Sequence, residues 1–201
     1  MAEKLHTEVR QEQLAQAALG LVASHGLNGL SVARVAHRVG VVPSAVYRHF
    51  ASKDELLDAV LDLIRNRLAQ NVQKVSEDCK DSLECLRRLL MLHAQLIREN
   101  QGVPRIIFSE DIFSGSRERK AAVHEIIRGY LKRVADIVKR GQKENQIRRD
   151  LDASTVAMMF LGLVQPAAIL WQLSDGAIDV TKHAERAWQI LAEAIRTHAK
   201  A

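Results

Sequence analysis

Four side chains that carry charge or form hydrogen bonds fall within seven residues of the chain: Tyr47, Arg48, His49 and Lys53. A phenol, a guanidinium, an imidazole and an ammonium group at such spacings can reach the phosphates and base edges of a nucleic acid. The surrounding charge favours this contact, because the 41 residues from Gln13 to Lys53 contain no Asp or Glu, although the chain has 24 acids in 201 residues. The segment therefore indicates a surface that a polyanion can approach.

Two short helices joined by a tight turn would carry these side chains. The pattern predicts a helix at residues 31–38, a turn at residues 39–42 that contains Gly40, and a second helix at residues 43–49 that starts with Pro43. This is the order of a helix-turn-helix, whose second helix lies in the major groove of DNA. The alternative is a packed corner of an ordinary helical protein. The side chains expected to face DNA are Pro43, Ser44, Tyr47 and Arg48, with His49 and Lys53 flanking them.

The segment AALGLVASHGLNGLSVARVAHRVGVVPSAVYRHFASKDELL resembles the N-terminal signature of TetR-family transcriptional regulators. The resemblance covers roughly residues 14–60 and depends on several fixed spacings at once. It implies an all-helical homodimer, usually a repressor, that binds a palindromic operator in double-stranded DNA and releases it when a small molecule enters the C-terminal domain. The matching positions are His25-Gly26-Leu27, Ser31-Val32, Val35-Ala36, Gly40-Val41, Tyr47-x-His49-Phe50 and Lys53-x-x-Leu56-Leu57.

The resemblance also implies roles for single residues, and it has one departure. Family members commonly have Ser or Thr just before the second helix, where this chain has Val42. That helix therefore lacks a side-chain cap, whose loss typically costs about 1 kcal/mol, and Pro43 offsets part of the loss by fixing the helix start. Carried over by position, the residues that would hold phosphates are Ser31, Tyr47, His49 and Lys53, and those closest to bases are Pro43, Ser44 and Tyr47, with Arg48 a further candidate.

The rest of the chain predicts an all-α protein of about nine helices, because helical periodicity recurs throughout and no segment alternates like a strand. Short helices give way to long ones near Ser52, which forms a capping box with Glu55. We therefore expect a helix-turn-helix DNA-binding domain at residues 1–51 and a helical effector-binding and dimerisation domain at residues 52–201. One short helix is expected at residues 105–113.

The most apolar segment is residues 156–173, in which Gln165 and Gln172 are the only clearly polar side chains. It is just long enough to cross a bilayer, but the glutamines and Pro166 interrupt it. We expect a helix that is buried all round and bent at Pro166, and no membrane partner.

The last helix has apolar residues at three- and four-residue spacings from Val180 to His198 and needs a partner surface. Together with the apolar helix at 156–173 it predicts a four-helix dimer interface, two helices from each subunit. The alternative is that both helices complete the core of a monomer. The interface residues predicted in this way are Ala157, Leu161, Ala184, Trp188, Leu191 and Ile195.

A pocket for a small-molecule effector would lie among the middle helices and combine apolar walls with a few polar groups. Each candidate has the alternative of an ordinary core residue, and a pocket filled by side chains would favour a DNA-organising or protein-recruiting regulator that has no inducer. The candidate residues are His93, Phe108, Phe113, Tyr130, Met158, Phe160 and Gln165.

Other classes of protein find little support in the sequence. The histidines lack metal-ligand spacing, and no nucleophile–base pair or phosphate-binding glycine loop occurs, so we expect no metal, no cofactor and no enzymatic activity. Two cysteines, Cys79 and Cys85, are too few for a disulfide framework, and the first residues lack the apolar core of a signal peptide. The cytoplasm is the expected location, and the formal charge of +5 is compatible with a polyanionic partner.

Overall fold

The computed structural model describes residues 2–174 and 176–197, apart from the side chains of residues 2–6 and 114; His198 lies outside the described residues. The chain is 79 % helical, and the described part contains no β-strand, which confirms the all-α prediction. The helices are α1 (Ala2–His25), α2 (Val32–Arg38), α3 (Pro43–Tyr47), α4 (Lys53–Asp78), α5 (Ser82–Glu99), α6 (Gly102–Ile107), α7 (Glu110–Ser114), α8 (Arg117–Lys143), α9 (Ala153–Gly162), α10 (Gln165–Leu173) and α11 (Val180–Ile195).

Two of the expected helices are each divided in two. The short helix expected at 105–113 is α6 and α7, and the apolar helix expected at 156–173 is α9 and α10, separated at Leu163 and Val164. Pro166 is the second residue of α10, where its missing N–H leaves no hydrogen bond of the helix unmade. The proline therefore marks the start of a new helix rather than a bend within one helix.

One compact unit comprises the chain up to Arg67 together with Asn100–His124. Within it α1 contacts α2 and α6, and α2 packs against α3. Val35 of α2 and Val46 of α3 are completely buried, and Phe50, just after α3, is 6 % exposed. Their burial holds α2, the turn and α3 against this unit. A functional boundary at residue 52 stays a prediction.

The other unit comprises Leu68–Glu99 and the chain from Glu125 onwards. Here α5 packs against α11, and α10 contacts both α9 and α11. Its core is mostly aliphatic, as at Leu89, and contains the aromatic residues Tyr130, Phe160 and Trp188. By length and composition alone, residues 153–173 could cross a membrane, with a mean hydropathy of 1.7, and 44 % of that stretch is buried inside the chain. A core helix has the same properties, so the stretch is weak support for a membrane partner.

Candidate DNA interface and effector region

The turn between α2 and α3 has the geometry that the sequence predicts. The backbone N–H of Arg34 donates to Oγ of Ser31 at 3.3 Å, which caps the start of α2. Gly40 has a φ of +71°, and at the end of α2 the Gly40 N–H donates to the carbonyl of His37 and the Val41 N–H to that of Ala36, at 3.2 and 2.9 Å. This pair of bonds is a Schellman motif, which favours glycine at the left-handed position.

The second helix, α3, starts without a side-chain cap, as Val42 predicts. Val42 has an extended backbone and is 62 % exposed, and Pro43 takes the first helical position. The helix ends at Tyr47, two residues earlier than expected. Pro43 thus does most to fix the start of a helix too short to be stable alone.

The residues predicted to meet DNA lie together on this short segment. Tyr47 is 55 % exposed, and the side chains of Tyr47, Arg48 and Lys53 form no hydrogen bond or ion pair with any other described residue. Their donors are therefore free for an external partner. Nδ1 of His49, in contrast, is buried without a hydrogen-bond partner in the described part of the chain. The exposed members of the set are Pro43, Ser44, Tyr47, Arg48 and Lys53, and the half-buried members are Ser31 and His49.

Two other basic residues of the acid-free segment lie against the protein itself. Arg34 donates from Nη1 to the carbonyl of Gly29 at 3.2 Å. The guanidinium of Arg38 lies against Gly20 of α1, where a methyl group would be 2.9 Å from Nη2. Arg34 and Arg38 are also exposed, but unlike Arg48 and Lys53 their guanidinium groups rest against neighbouring parts of the chain.

The start of α4 is fixed by the predicted capping box. The backbone N–H of Glu55 donates to Oγ of Ser52 at 3.1 Å, and Oε2 of Glu55 accepts from the backbone N–H of Ala51 at 2.7 Å. In the usual capping box the glutamate accepts from the backbone N–H of the cap residue, here Ser52; in this chain Glu55 accepts instead from the residue before it, Ala51. Lys53, the first residue of α4, is held at the surface by these bonds.

Two candidate effector residues contact each other inside the second unit. His93 of α5 and Tyr130 of α8 are 8 % and 4 % exposed, and Nδ1 of His93 lies 3.1 Å from the Tyr130 hydroxyl. Burial lowers the pKa of His93 to about 4 and raises the pKa of Tyr130 above its usual range. Both groups are therefore neutral at physiological pH, and they share one hydrogen bond within a mostly aliphatic core.

The other effector candidates differ in how far they are buried. Phe160 is 1 % exposed and belongs to the core, and Gln165 is half-buried. Phe108, Phe113 and Met158 are 44 %, 58 % and 59 % exposed. Helical spacing alone does not tell which side of a short helix faces inward, and the role of these three residues in an effector pocket stays a prediction.

An open groove of about 410 Å³ occupies the surface of the second unit, a feature that the sequence reasoning missed. Its walls come from the start of α5, the loop after α8 and the end of α11, and they include Glu84, Arg87 and Arg196. Such a charged, open lining differs from an apolar effector cavity. Within the described residues, no group of three or more His, Cys, Asp or Glu is placed to hold a metal ion.

The six predicted dimer residues are buried within their own chain. Their exposure ranges from 0 % for Ala157 and Ala184 to 8 % for Leu161. A side chain this buried has little area left for a partner, and the interface role of Ala157, Leu161, Ala184, Trp188, Leu191 and Ile195 stays a prediction. The same helices instead expose an apolar surface, defined here as Met158, Met159, Ile169, Leu170, Leu173 and Ile190.

The fold and the exposed α3 segment define a helix-turn-helix DNA-binding protein. Residues 14–60 match the sequence profile described as bacterial regulatory proteins of the tetR family, and residues 64–194 match that of the YsiA-like protein C-terminal region. The chain belongs to the TetR family, and it is a DNA-binding transcriptional regulator of the bacterial type.

Similar proteins carry two kinds of name. The fatty acid metabolism regulator protein of Bacillus subtilis is 22 % identical over 91 % of this chain and 94 % of its own length. The nucleoid occlusion factor SlmA of Edwardsiella ictaluri is 27 % identical over 96 % of this chain and 98 % of its own. Among solved structures, the regulator FadR from Bacillus subtilis in complex with stearoyl-CoA has a TM-score of 0.75 at 21 % identity, covering 92 % of this chain and 98 % of that one.

Proposed function

We propose that the protein is a homodimeric repressor that binds a palindromic operator and releases it when a small molecule binds. The observation that carries the proposal is the set of free donors on Tyr47, Arg48 and Lys53. These donors lie on or beside α3, the proposed reading helix, which is held in place by the buried Val46. Lys53, Ser31 and His49 would hold phosphates. Tyr47, with Pro43 and Ser44, would approach the bases.

Dimerisation follows from the small size of the reading helix. Five residues of α3 cover only a few base pairs. A long specific site therefore needs two DNA-binding heads, meaning the helix-turn-helix units (α2, the turn and α3) of two subunits, about one turn of DNA or roughly 34 Å apart. The apolar surface of α9, α10 and α11 is the proposed contact between subunits. Leu173 and Ile190 are 77 % and 76 % exposed, and residues this apolar rarely cluster on a surface that stays in water.

The proposed effector is a long-chain fatty acyl group, presented as its coenzyme A thioester. The support is the name of the Bacillus subtilis relative, the stearoyl-CoA in the solved structure of the regulator FadR, and the mostly aliphatic core of the second unit of this chain. The effector would favour a subunit arrangement in which the two reading helices no longer match the spacing of the half-sites.

A second candidate is a DNA-organising or protein-recruiting regulator without an inducer. It is favoured by the SlmA relatives and by the mutual hydrogen bond of His93 and Tyr130, which leaves this polar pair satisfied without a ligand. Both candidates act on DNA, so both have a cytoplasmic or nucleoid location, and neither involves catalysis.

The test is selection of genomic fragments by the purified protein, followed by footprinting with stearoyl-CoA, with stearate and with coenzyme A alone. A palindrome protected on two half-sites and released by stearoyl-CoA supports the ligand-gated repressor. Protection that no acyl compound alters favours the second candidate. Salt-sensitive binding without any enriched sequence contradicts the operator proposal.

Two substitutions test the proposed DNA contacts of Tyr47 and Lys53. Tyr47→Ala and Lys53→Ala are each expected to weaken operator binding about tenfold, since each removes a contact to phosphate or base. Lys74→Ala is the matched control, because Lys74 is exposed on the same helix, roughly 30 Å along α4 from Lys53. If Tyr47→Ala and Lys53→Ala, like the control, bound the operator with wild-type affinity, Tyr47 and Lys53 would not contact phosphate or base.

A further inference from the structure

One guanidinium in the first unit joins two helices through two carboxylates. Arg119, in the first turn of α8, places Nε 3.0 Å from Oδ1 of Asp58 and Nη2 3.1 Å from Oδ1 of Asp54. The two acids are four residues apart on α4 and therefore lie on the same face of that helix. The arginine side chain is only 10 % exposed, whereas the carboxylates of Asp54 and Asp58 are 75 % and 58 % exposed.

Both ends of this contact are fixed by local capping. The backbone N–H of Arg119 donates to Oγ of Ser116 at 3.2 Å, which anchors the first turn of α8. Asp54 lies between Lys53 and Glu55, and the carboxylate of Glu55 is already bonded to the backbone of Ala51. The arginine thus connects two well-defined helix starts.

The position of the two acids gives the contact its significance. Asp54 is the first acid after the 41-residue acid-free segment, and it directly follows Lys53, the proposed phosphate contact. A carboxylate so close to the DNA backbone repels phosphate, and this repulsion acts over about 10 Å at moderate salt. A guanidinium bonded to both carboxylates reduces that repulsion, because it adds a positive charge at the same place.

We propose that Arg119 is a positioning residue for DNA binding, which masks the charges of Asp54 and Asp58 from the phosphates and holds the first turn of α4, and with it Lys53, in place. The proposal rests on the DNA-binding role of the head and needs neither the operator sequence nor the effector to be known. Arg119 itself touches no DNA in this scheme. It acts through the two carboxylates.

A purely stabilising role fits the exposures less well. Pairs with exposed carboxylates contribute little to folding, so loss of Arg119 leaves two acids that water can solvate. Loss of the acids would instead leave a mostly buried cation short of partners, which is the more disruptive change. Substitution at Arg119 is therefore the cleaner perturbation of DNA binding.

The experiment compares Arg119→Gln with Arg65→Gln in the full-length protein. Arg65 pairs with Asp62 within α4 at 2.7 Å, and both side chains are at least half exposed. Each substitution removes one positive charge, so the net charge changes equally; Arg65→Gln frees one carboxylate of α4, and Arg119→Gln frees two. The probe is a duplex that the wild-type protein recovers from a random-sequence library, with affinity measured by fluorescence anisotropy at about 50 and about 400 mM salt.

The expected result for Arg119→Gln is a loss of about tenfold in affinity at low salt that shrinks at high salt, because salt screens the exposed carboxylates. Arg65→Gln should stay within about threefold of wild type at both salt concentrations. Adding Asp54→Asn and Asp58→Asn to Arg119→Gln should restore affinity to within about threefold, since the repelling charges are gone. Arg119→Lys keeps the charge but not the geometry that reaches both carboxylates, so its loss of affinity should be smaller than that of Arg119→Gln.

Three outcomes would overturn the proposal. The first is an Arg119→Gln variant that binds as tightly as Arg65→Gln. The second is a loss that is independent of salt and is not restored by removing the two acids, which would make Arg119 merely structural. The third is failure of the wild-type protein to recover any duplex, which would refute DNA binding itself and is distinguished by the wild-type control. Circular dichroism and size-exclusion chromatography establish that each variant is folded; if Arg119→Gln is not, Arg119→Met, which removes the charge and keeps much of the side-chain length, replaces it and is judged by the same outcomes.

Discussion

The apolar surface of α9–α11 is most sharply tested at Ile190. This residue is 76 % exposed in the single chain. Complete burial of such a side chain contributes about 1.5–3 kcal/mol, so burial of the exposed part contributes about 1–2 kcal/mol per subunit. A two-fold interface buries the residue twice, which gives about 2–4 kcal/mol for the dimer. Ile190→Asp removes this contribution and adds the cost of burying a carboxylate.

The expected result is a dimer dissociation constant at least about thirtyfold higher, because each 1.4 kcal/mol corresponds to about tenfold. Sedimentation equilibrium over a range of protein concentrations measures the constant, and circular dichroism checks that the variant monomer is helical. Val9→Asp is the matched control, since Val9 is 51 % exposed on α1 in the other compact unit. If Ile190→Asp dimerised like the wild type, or if Val9→Asp dissociated as strongly, this surface would not be the interface.

Three further predictions concern stability, each measured by urea unfolding. Val42→Thr should raise the free energy of unfolding by about 1 kcal/mol, because the extended backbone at Val42 suits a side-chain cap for α3; an unchanged midpoint would mean that α3 gains nothing from a cap. Gly40→Ala should lower the free energy of unfolding by roughly 1–2 kcal/mol, because the φ of +71° is unfavourable for alanine. Gly129→Ala, in the middle of α8 where a methyl group meets open space, should raise it by up to about 1 kcal/mol. A change of the same sign in both variants would contradict the argument. The pKa of His93 is about 4 in the folded chain and about 6.5 in the unfolded chain. Between these two values the unfolded state binds more protons than the folded state. The free energy of unfolding is therefore highest above pH 6.5 and falls by roughly 3 kcal/mol as the pH drops to 4. His93→Phe should lose much of this acid sensitivity and Tyr130→Phe should keep it, because burial causes the shift; equal acid sensitivity in His93→Phe and the wild type would refute the assignment.

The DNA-binding head could be predicted from the sequence because its signals are local. Gly40 at a left-handed position, Ser31 as a cap and Ser52 with Glu55 as a capping box each act over at most four residues. Backbone hydrogen bonds at helix ends leave few alternatives for such residues. The pattern of local signals therefore carried almost the whole geometry of α2, the turn and α3.

The second unit could not be predicted in the same detail, because its organisation depends on contacts distant in sequence. His93 and Tyr130 are 37 residues apart, and no local pattern indicates their hydrogen bond. Trp188 is buried and Ile190 is exposed, although both are apolar and lie on the same helix. Hydrophobic spacing predicts that a helix has an apolar face, but the neighbouring helices determine which of two apolar faces is inside.

The uncapped, five-residue α3 has a kinetic consequence. A helix this short has little intrinsic stability, so its end at Tyr47 and Arg48 can adjust on the DNA surface before base contacts form. Encounter is driven by the free charges of Arg48 and Lys53, which are attracted by any phosphate backbone. Association should therefore be fast and nearly the same for all duplexes. Different sites would then be distinguished by how long the complex lasts, with correct base contacts retaining the protein on its operator.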